Sequence, residues 1–178
     1  MRLRGDHPHV FHFRCVQHRA VDTSGLGVPK KTAIGIPWRV ALALIDRKWI
    51  LRSPIIWKRK YPVPEANAQD RPWRTYEHVF MFTKSRTYEF DRSVLTREKV
   101  EDIWEIPSQS QAEREHPAVF PTELVTRCLA LVRNRGPVLD PYVGSGTVLR
   151  VATGLGIDAD GIDLSPKFAK LAAGACAG

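Results

Sequence analysis

The chain has no apolar run near the ~20 residues a bilayer-spanning helix needs, which excludes a simple membrane anchor. Its first residues, Met-Arg-Leu-Arg-Gly-Asp-His-Pro-His, lack the apolar core of a signal peptide, so the expectation is a cytoplasmic protein with no membrane partner. Cysteine is scarce: Cys15, Cys128 and Cys176 are odd in number and show no pairing pattern, which argues against a disulfide framework and fits a reducing compartment. No lysine occurs between Lys99 and Lys167, and no two prolines are adjacent anywhere. Acidic residues are also short, at 19 against 27 Lys and Arg, leaving a net charge of +8. The shortage is local. Residues 1–91 hold 17 basic against 8 acidic residues, a balance of +9, and residues 92–178 hold 10 against 11, a balance of −1. A basic half beside a near-neutral half points to a polyanionic partner on one side, although a solvated basic surface gives the same count.

What is present is enough for one folded domain: 178 residues, 43% of them hydrophobic, place the chain outside the disordered class. The most informative stretch is Val138-Leu139-Asp140-Pro141-Tyr142-Val143-Gly144-Ser145-Gly146-Thr147. It reads as a strand, a glycine-rich turn and the start of a helix running to about Leu155. Glycines there let a ligand approach the backbone, and the helix start offers unpaired N–H groups. Gly161-Ile162-Asp163-Leu164 reads as the next strand, at 160–163, ending in an acid suited to ribose hydroxyls. A phosphate loop would need Gly-Lys-Ser/Thr, and the dinucleotide fingerprint would need a third glycine where Leu149 stands. The remaining choice lies between a nucleoside site of the S-adenosylmethionine type and a plain tight turn.

Other segments are legible by pattern. Pro37 to Ile45 reads as a helix opened by proline in its first turn. Trp49 to Trp57 reads as a strand with Pro54 at an edge or bulge, and Tyr76 to Thr83 as a second strand. Residues 62–75 read as a proline-rich loop, and 92–115 as a charged, aperiodic loop or short variable insert. Leu124, Val125, Cys128, Leu129 and Val132 fall at helical spacing, giving a helix over Thr122–Val132. A last helix opens at Ser165-Pro166. The αβαβα alternation after residue 122 predicts a parallel sheet covered by helices, which the strands at 49–57 and 76–83 are expected to join. Residues 1–30 form a divergent lead-in, disordered or strand-like, and 31–178 the main domain. His7, His9, His12, Cys15 and His18 crowd the lead-in without a recurring ligand pair, so no metal site is assigned.

In order along the chain, several stretches resemble the amino-group DNA methyltransferases, which methylate N6 of adenine or N4 of cytosine. They are Ile36-Pro37-Trp38-Arg39, Ile55-Ile56-Trp57-Lys58, Asp70-Arg71-Pro72, Tyr76-Glu77-His78-Val79 with Phe82-Thr83-Lys84, and His116-Pro117-Ala118-Val119-Phe120-Pro121, then the glycine turn and Gly161-Ile162-Asp163. The resemblance covers residues 31 to about 172 and has the β order of motifs, with the cofactor turn after the catalytic half. It implies an α/β, Rossmann-like methyltransferase sheet with helices on both faces, incomplete at its N-terminus. It also implies S-adenosylmethionine as cofactor, double-stranded DNA as partner and a cognate restriction endonuclease. By position, Asp140, Pro141, Tyr142, Gly144, Ser145, Gly146 and Thr147 would hold the methionine side of the cofactor, and Asp163 its ribose. His116, Pro117 and Phe120 would close the pocket. Phe120 as a core residue and His116 as a helix-entry residue are the plainer readings. Lys58, Arg59, Lys60, Arg71 and Arg74 are expected to face the nucleic acid backbone.

The departure from the family is as specific as the match. Its catalytic Asp/Asn/Ser-Pro-Pro-aromatic motif orients the poorly nucleophilic exocyclic amine and stacks the flipped base. With no Pro-Pro present, no catalytic residue is assigned, and the expectation is a truncated DNA methyltransferase whose own transfer is slow or absent. The alternatives are a non-catalytic cofactor- or DNA-binding remnant, a subunit completed by a partner chain, and an RNA methyltransferase.

Overall fold

The structure, a computed structural model, describes residues 9–13 (backbone), 27–29, 32–62, 64, 69–94, 101–108, 121–132 and 136–174. It contains a four-stranded sheet built around β3 (Tyr76–Thr83). On one side of β3 lies β1 (His9–Phe13), antiparallel, with His9 opposite Phe82. On the other side lies β2 (Ile50–Arg59), also antiparallel, with Lys58 opposite Tyr76. Outside β2 runs β4 (Ile103–Ile106), parallel to it.

The residues of β3 explain its central place. Alternate side chains go to opposite faces of a strand. Val79 and Met81 join Ile55, Trp57, Trp104, Ile106, Leu124 and Leu131 in one core. Phe80 and Phe82 join Ala41 in the other, with Leu44, Trp49 and Leu51 packed against it. One core is closed by α1 (Ile36–Asp46), which begins after Gly35 at φ 67° with Pro37 in its first turn. The other is closed by α2 (Thr122–Ala130), through Leu124. The two buried indoles are satisfied as they must be in such cores: Trp57 Nε1 donates to the Ile106 carbonyl at 3.0 Å, and Trp104 Nε1 to that of Glu101 at 2.8 Å.

A second unit follows. It consists of β5 (Val138–Asp140), α3 (Thr147–Gly154), β6 (Ala159–Gly161) and α4 (Pro166–Gly174). β5 and β6 pair in parallel, Asp140 opposite Gly161. Val143, Leu149 and Ala172 form its small core, and α3 packs beside α2.

Two sequence expectations are corrected, and of the two readings of the lead-in the strand-like one holds for residues 9–13. The segment 92–115 is not merely a loop: β4 lies within it and buries Trp104 and Ile106. Its four residues alternate as a half-buried strand should, but Glu101, Asp102 and Glu105 hid the period. The strands at 50–59 and 76–83 do not join the parallel pair; among the described residues the two sheets are separate. The lead-in contributes β1 to the first sheet. Pro54 lies beside the predicted irregularity, a register shift between Leu51 and Ser53. It lies before the β4 ladder begins at Ile56, so its missing N–H costs no bond there.

Candidate functional site

The second unit is organised around the turn that links β5 to α3. Parallel pairing continues past the strands: Ile162 N–H donates to the Asp140 carbonyl and Val143 N–H to that of Ile162, each at 2.9 Å. This zips residues 140–143 against 161–162. The Asp163 carboxylate then ties the two loops together. One oxygen accepts from Gly144 N–H at 3.0 Å, the other from Ser165 N–H at 2.8 Å. Asp140 Oδ1 accepts from Tyr142 N–H at 3.0 Å. Two acidic side chains are thereby held at one turn. Burial pushes the Asp140 carboxyl above its ordinary range; the Tyr142 N–H opposes this, and the nearby Asp163 charge adds to it.

Two glycines are required by geometry. Gly146 sits at φ 80°, and a Cβ there would lie 2.9 Å from the Ala172 backbone of α4. A Cβ at Gly161 would lie 2.6 Å from Val143 Cγ2. Close approach of α4 to the turn thus depends on glycine. α3 starts at Gly146 with no side-chain cap, so first-turn N–H groups are available to a ligand. Ser145 Oγ and Thr147 Oγ1 lie 3.4 Å apart at this start. Tyr142 and Leu164 stand out into solvent beside the acids, 84% and 99% exposed.

The structure therefore brings together Asp140, Pro141, Tyr142, Gly144, Ser145, Gly146, Thr147 and Asp163. His116 and Phe120, with Pro117, lie outside the described residues. The structural role of Asp163 as a clamp was not foreseen; the sequence signal for it is the Asp-x-Ser spacing, in which an aspartate caps the N–H two residues on.

The donor set discriminates between ligands. A carboxylate offers about four acceptor positions, so Asp163 retains capacity for a diol after its two backbone bonds. Two carboxylates at one turn repel a phosphate but suit a nucleoside carrying a cation, as the sulfonium and ammonium of S-adenosylmethionine do. The residues present fit that group.

The basic residues lie elsewhere, at the carboxyl end of β2. Lys58 pairs with Glu105 across to β4 and holds that exposed carboxyl below its usual range. Lys60 is exposed. Arg59 departs from the expectation of facing outward: it is half-buried and donates to the Arg74 carbonyl, bracing the two limbs of the β2–β3 hairpin. Arg71 donates to the Pro72 carbonyl at 3.1 Å, and Arg74 is half-buried. Among the described residues no group of three or more His, Cys, Asp or Glu is placed to hold a metal, and no helix is long and apolar enough to cross a membrane. The side chains of His9 and His12 and the rest of the histidine-rich lead-in are outside the described set. Cys128 is half-buried against the larger core, and desolvation pushes its thiol up to about 12, so it behaves as a small apolar residue.

Comparison with known proteins agrees with this architecture. The DNA methylase family matches residues 15–174, a longer span than the 31–172 read from the motifs. The type II methyltransferase M.Cfr9I of Citrobacter freundii is 38% identical over 154 residues, covering 82% of this chain and 51% of that protein. M.XycI of Xanthomonas campestris pv. cyanopsidis is 38% identical over 167 residues, covering 87% and 55%. The chain thus spans about half the length of the curated relatives it matches. Among solved structures, the cytosine-N4-specific PvuII DNA methyltransferase superposes with a TM-score of 0.76 at 19% identity, over 98% of this chain and 65% of that one. The M1.HpyAVI–SAM complex superposes with a TM-score of 0.63 at 21% identity, over 80% and 70%. The structures show a shared fold, and the family match with the relatives shows the lineage: this chain belongs to the DNA methylase family.

Proposed function

We propose that the chain serves methyl transfer from S-adenosylmethionine to an exocyclic amino group of adenine or cytosine in double-stranded DNA, in a system with a cognate restriction endonuclease. The observation that carries this reading is the Asp163 clamp. It holds Gly144 and Ser165 by their N–H groups and sets Asp163 and Asp140 at one uncapped helix start. In this assignment Asp163 takes the ribose hydroxyls. Asp140 and the backbone from Tyr142 to Thr147 take the methionine side, and Lys58 and Lys60 meet phosphates. S-adenosylmethionine supplies the methyl group when bound. Leu149, where a dinucleotide site would need glycine, is instead part of the small core.

A second reading is favoured by one feature of β5. Parallel sheets are normally covered on both faces, yet Leu139 in the middle of β5 is 60% exposed. This suits a subunit whose partner polypeptide covers β5 and brings the Pro-Pro-aromatic motif absent here. A radiolabel transfer assay on mixed-sequence duplex DNA separates the two. Transfer by the chain alone at a typical enzymatic rate would overturn the second reading and the importance given to the missing motif. Transfer appearing only with an added motif-bearing polypeptide supports it, and no transfer under either condition refutes both.

A further inference from the structure

We propose that the flank of α1 carrying Ile36, Val40 and Ala43 is a docking groove for an amphipathic helix of a second polypeptide, one whose apolar stripe is flanked by carboxylates. The proposal is independent of the cofactor and DNA assignments. α1 is almost without charge: within it only Arg39 and Asp46 are ionic. A helix that is apolar nearly all round belongs in an interior, covered on every side. Yet only Pro37 and Ala41 of α1 are buried, and Trp38, Leu42 and Ile45 are exposed.

One flank of the helix is hollow. Ile36, Val40, Ala43 and Leu44 line an open trough of about 310 Å³, together with Arg39 and Arg47. These residues fall at i, i+3, i+4, i+7, i+8 and i+11, a single continuous stripe. That is the spacing on which helix-in-groove recognition is built.

The two guanidiniums decide the chemistry of the occupant. Arg39 Nε donates to the Ile34 carbonyl at 2.8 Å, and a terminal nitrogen of Arg47 donates to that of Ala43 at 3.2 Å. Each is steered by one bond and keeps its other donors. Among the described residues neither is paired with a carboxylate, and Asp46 does not line the trough. Their positions on the helix differ by about 12 Å along its axis. An aliphatic floor between two such donor forks fits a helix that lays aliphatic side chains on the floor and offers carboxylates about two turns apart. A phosphate backbone would meet the guanidiniums and desolvate the aliphatic floor without gain. A second copy docked on the same flank by two-fold symmetry would bring its own Arg39 and Arg47 to the same trough, and like charges oppose that contact.

The test is fluorescence anisotropy with labelled amphipathic peptides long enough to hold a helix, about 18 residues. The first carries a leucine stripe flanked by glutamates about two turns apart. The second has lysine in place of those glutamates, and the third keeps the glutamates but has serine in place of the leucines. The parent chain should bind the first at least about tenfold more tightly than either of the others. The double variant Arg39→Glu/Arg47→Glu should reverse the preference between the first two, which a general loss of surface charge would not do. Arg47 is exposed at the end of α1, so Arg47→Glu alone, which should narrow the preference, preserves the test if the double variant does not fold. Equal binding of the glutamate and lysine peptides, equal binding of the serine peptide, or binding of none would overturn the proposal. Displacement of the first peptide by duplex DNA in the parent but not in Arg47→Glu would give the flank to phosphates and overturn it as well. A parent chain that sediments as a dimer, and as a monomer after Ala43→Arg, would give the flank to a second copy, with the same consequence. None of these outcomes bears on methyl transfer, which the groove does not touch.

Discussion

The two sheets of this protein are held by different physics. The four-stranded sheet is covered on both faces, and it is fastened by large apolar side chains: Trp57, Phe80, Phe82, Trp104 and Ile106 are all nearly or fully buried. The β5–β6 unit has a core of only Val143, Leu149 and Ala172 with two partly buried neighbours. Its order comes from backbone ladders, the Asp163 clamp, Gly146 where α4 approaches and Gly161 where Val143 does. The first tolerates exposed polar changes and is vulnerable to lost volume. The second is vulnerable to a single added methyl or a lost carboxylate. A scaffold has been separated from a site whose groups must remain available to a ligand.

The largest effect that would break this contrast is expected in the first sheet. Trp104→Ala removes a buried side chain from the middle of the larger core and should cost about 3–5 kcal/mol in chemical denaturation. In the second unit the corresponding weak point is Gly146. Gly146→Ala adds a Cβ that meets the Ala172 backbone at 2.9 Å at a positive φ, and should cost roughly 3 kcal/mol from overpacking and conformational strain together. Hydrogen exchange should locate that loss in residues 140–172 and leave β2 and β3 protected. If β2 and β3 lose protection equally, the two sheets are one cooperative unit and the contrast fails.

Asp140→Asn sharpens the comparison because it acts through charge alone. A carboxyl whose folded value is raised contributes stability that is fully present below its unfolded value, about 3.9, and lost as the pH rises through the folded value. The uncharged variant, whose Oδ1 can still accept from Tyr142, should therefore melt no lower than the parent at pH 7. The parent should gain on it as the pH falls toward 4. A variant that melts well below the parent at pH 7 would show that the Asp140 charge is structural. The smallest effect is expected at the exposed Glu123–Arg127 pair of α2, at 2.7 Å: Arg127→Ala should change stability by about 0.5 kcal/mol or less, near the limit of a denaturation measurement.

The same contrast explains what could be read in advance. β3 and α1 were legible because β3 is an eight-residue run of mostly strand-forming residues and α1 opens with Pro37 in its first turn. The glycine turn and the acid after β6 were legible because few residue types satisfy such geometry. β4 was missed because a four-residue strand has two core positions, too few to stand out among charges. The split into two sheets was missed because strand partners depend on long-range packing, which periodicity does not encode. Arg59 was misread because its charge suggested solvent, whereas its place in the ladder turns it inward to the Arg74 carbonyl. The clamp by Asp163 needed coordinates: the pairing of its carboxylate with Gly144 joins residues 19 apart in sequence.

The most direct test of the account is calorimetric titration of S-adenosylmethionine into the parent chain and into Asp163→Ala, with circular dichroism confirming that both are folded. The account predicts a saturating one-to-one isotherm for the parent, and at least about tenfold weaker binding for the variant, equivalent to about 1.4 kcal/mol. A folded parent that gives no heat of binding, or a variant that binds as tightly as the parent, would contradict it.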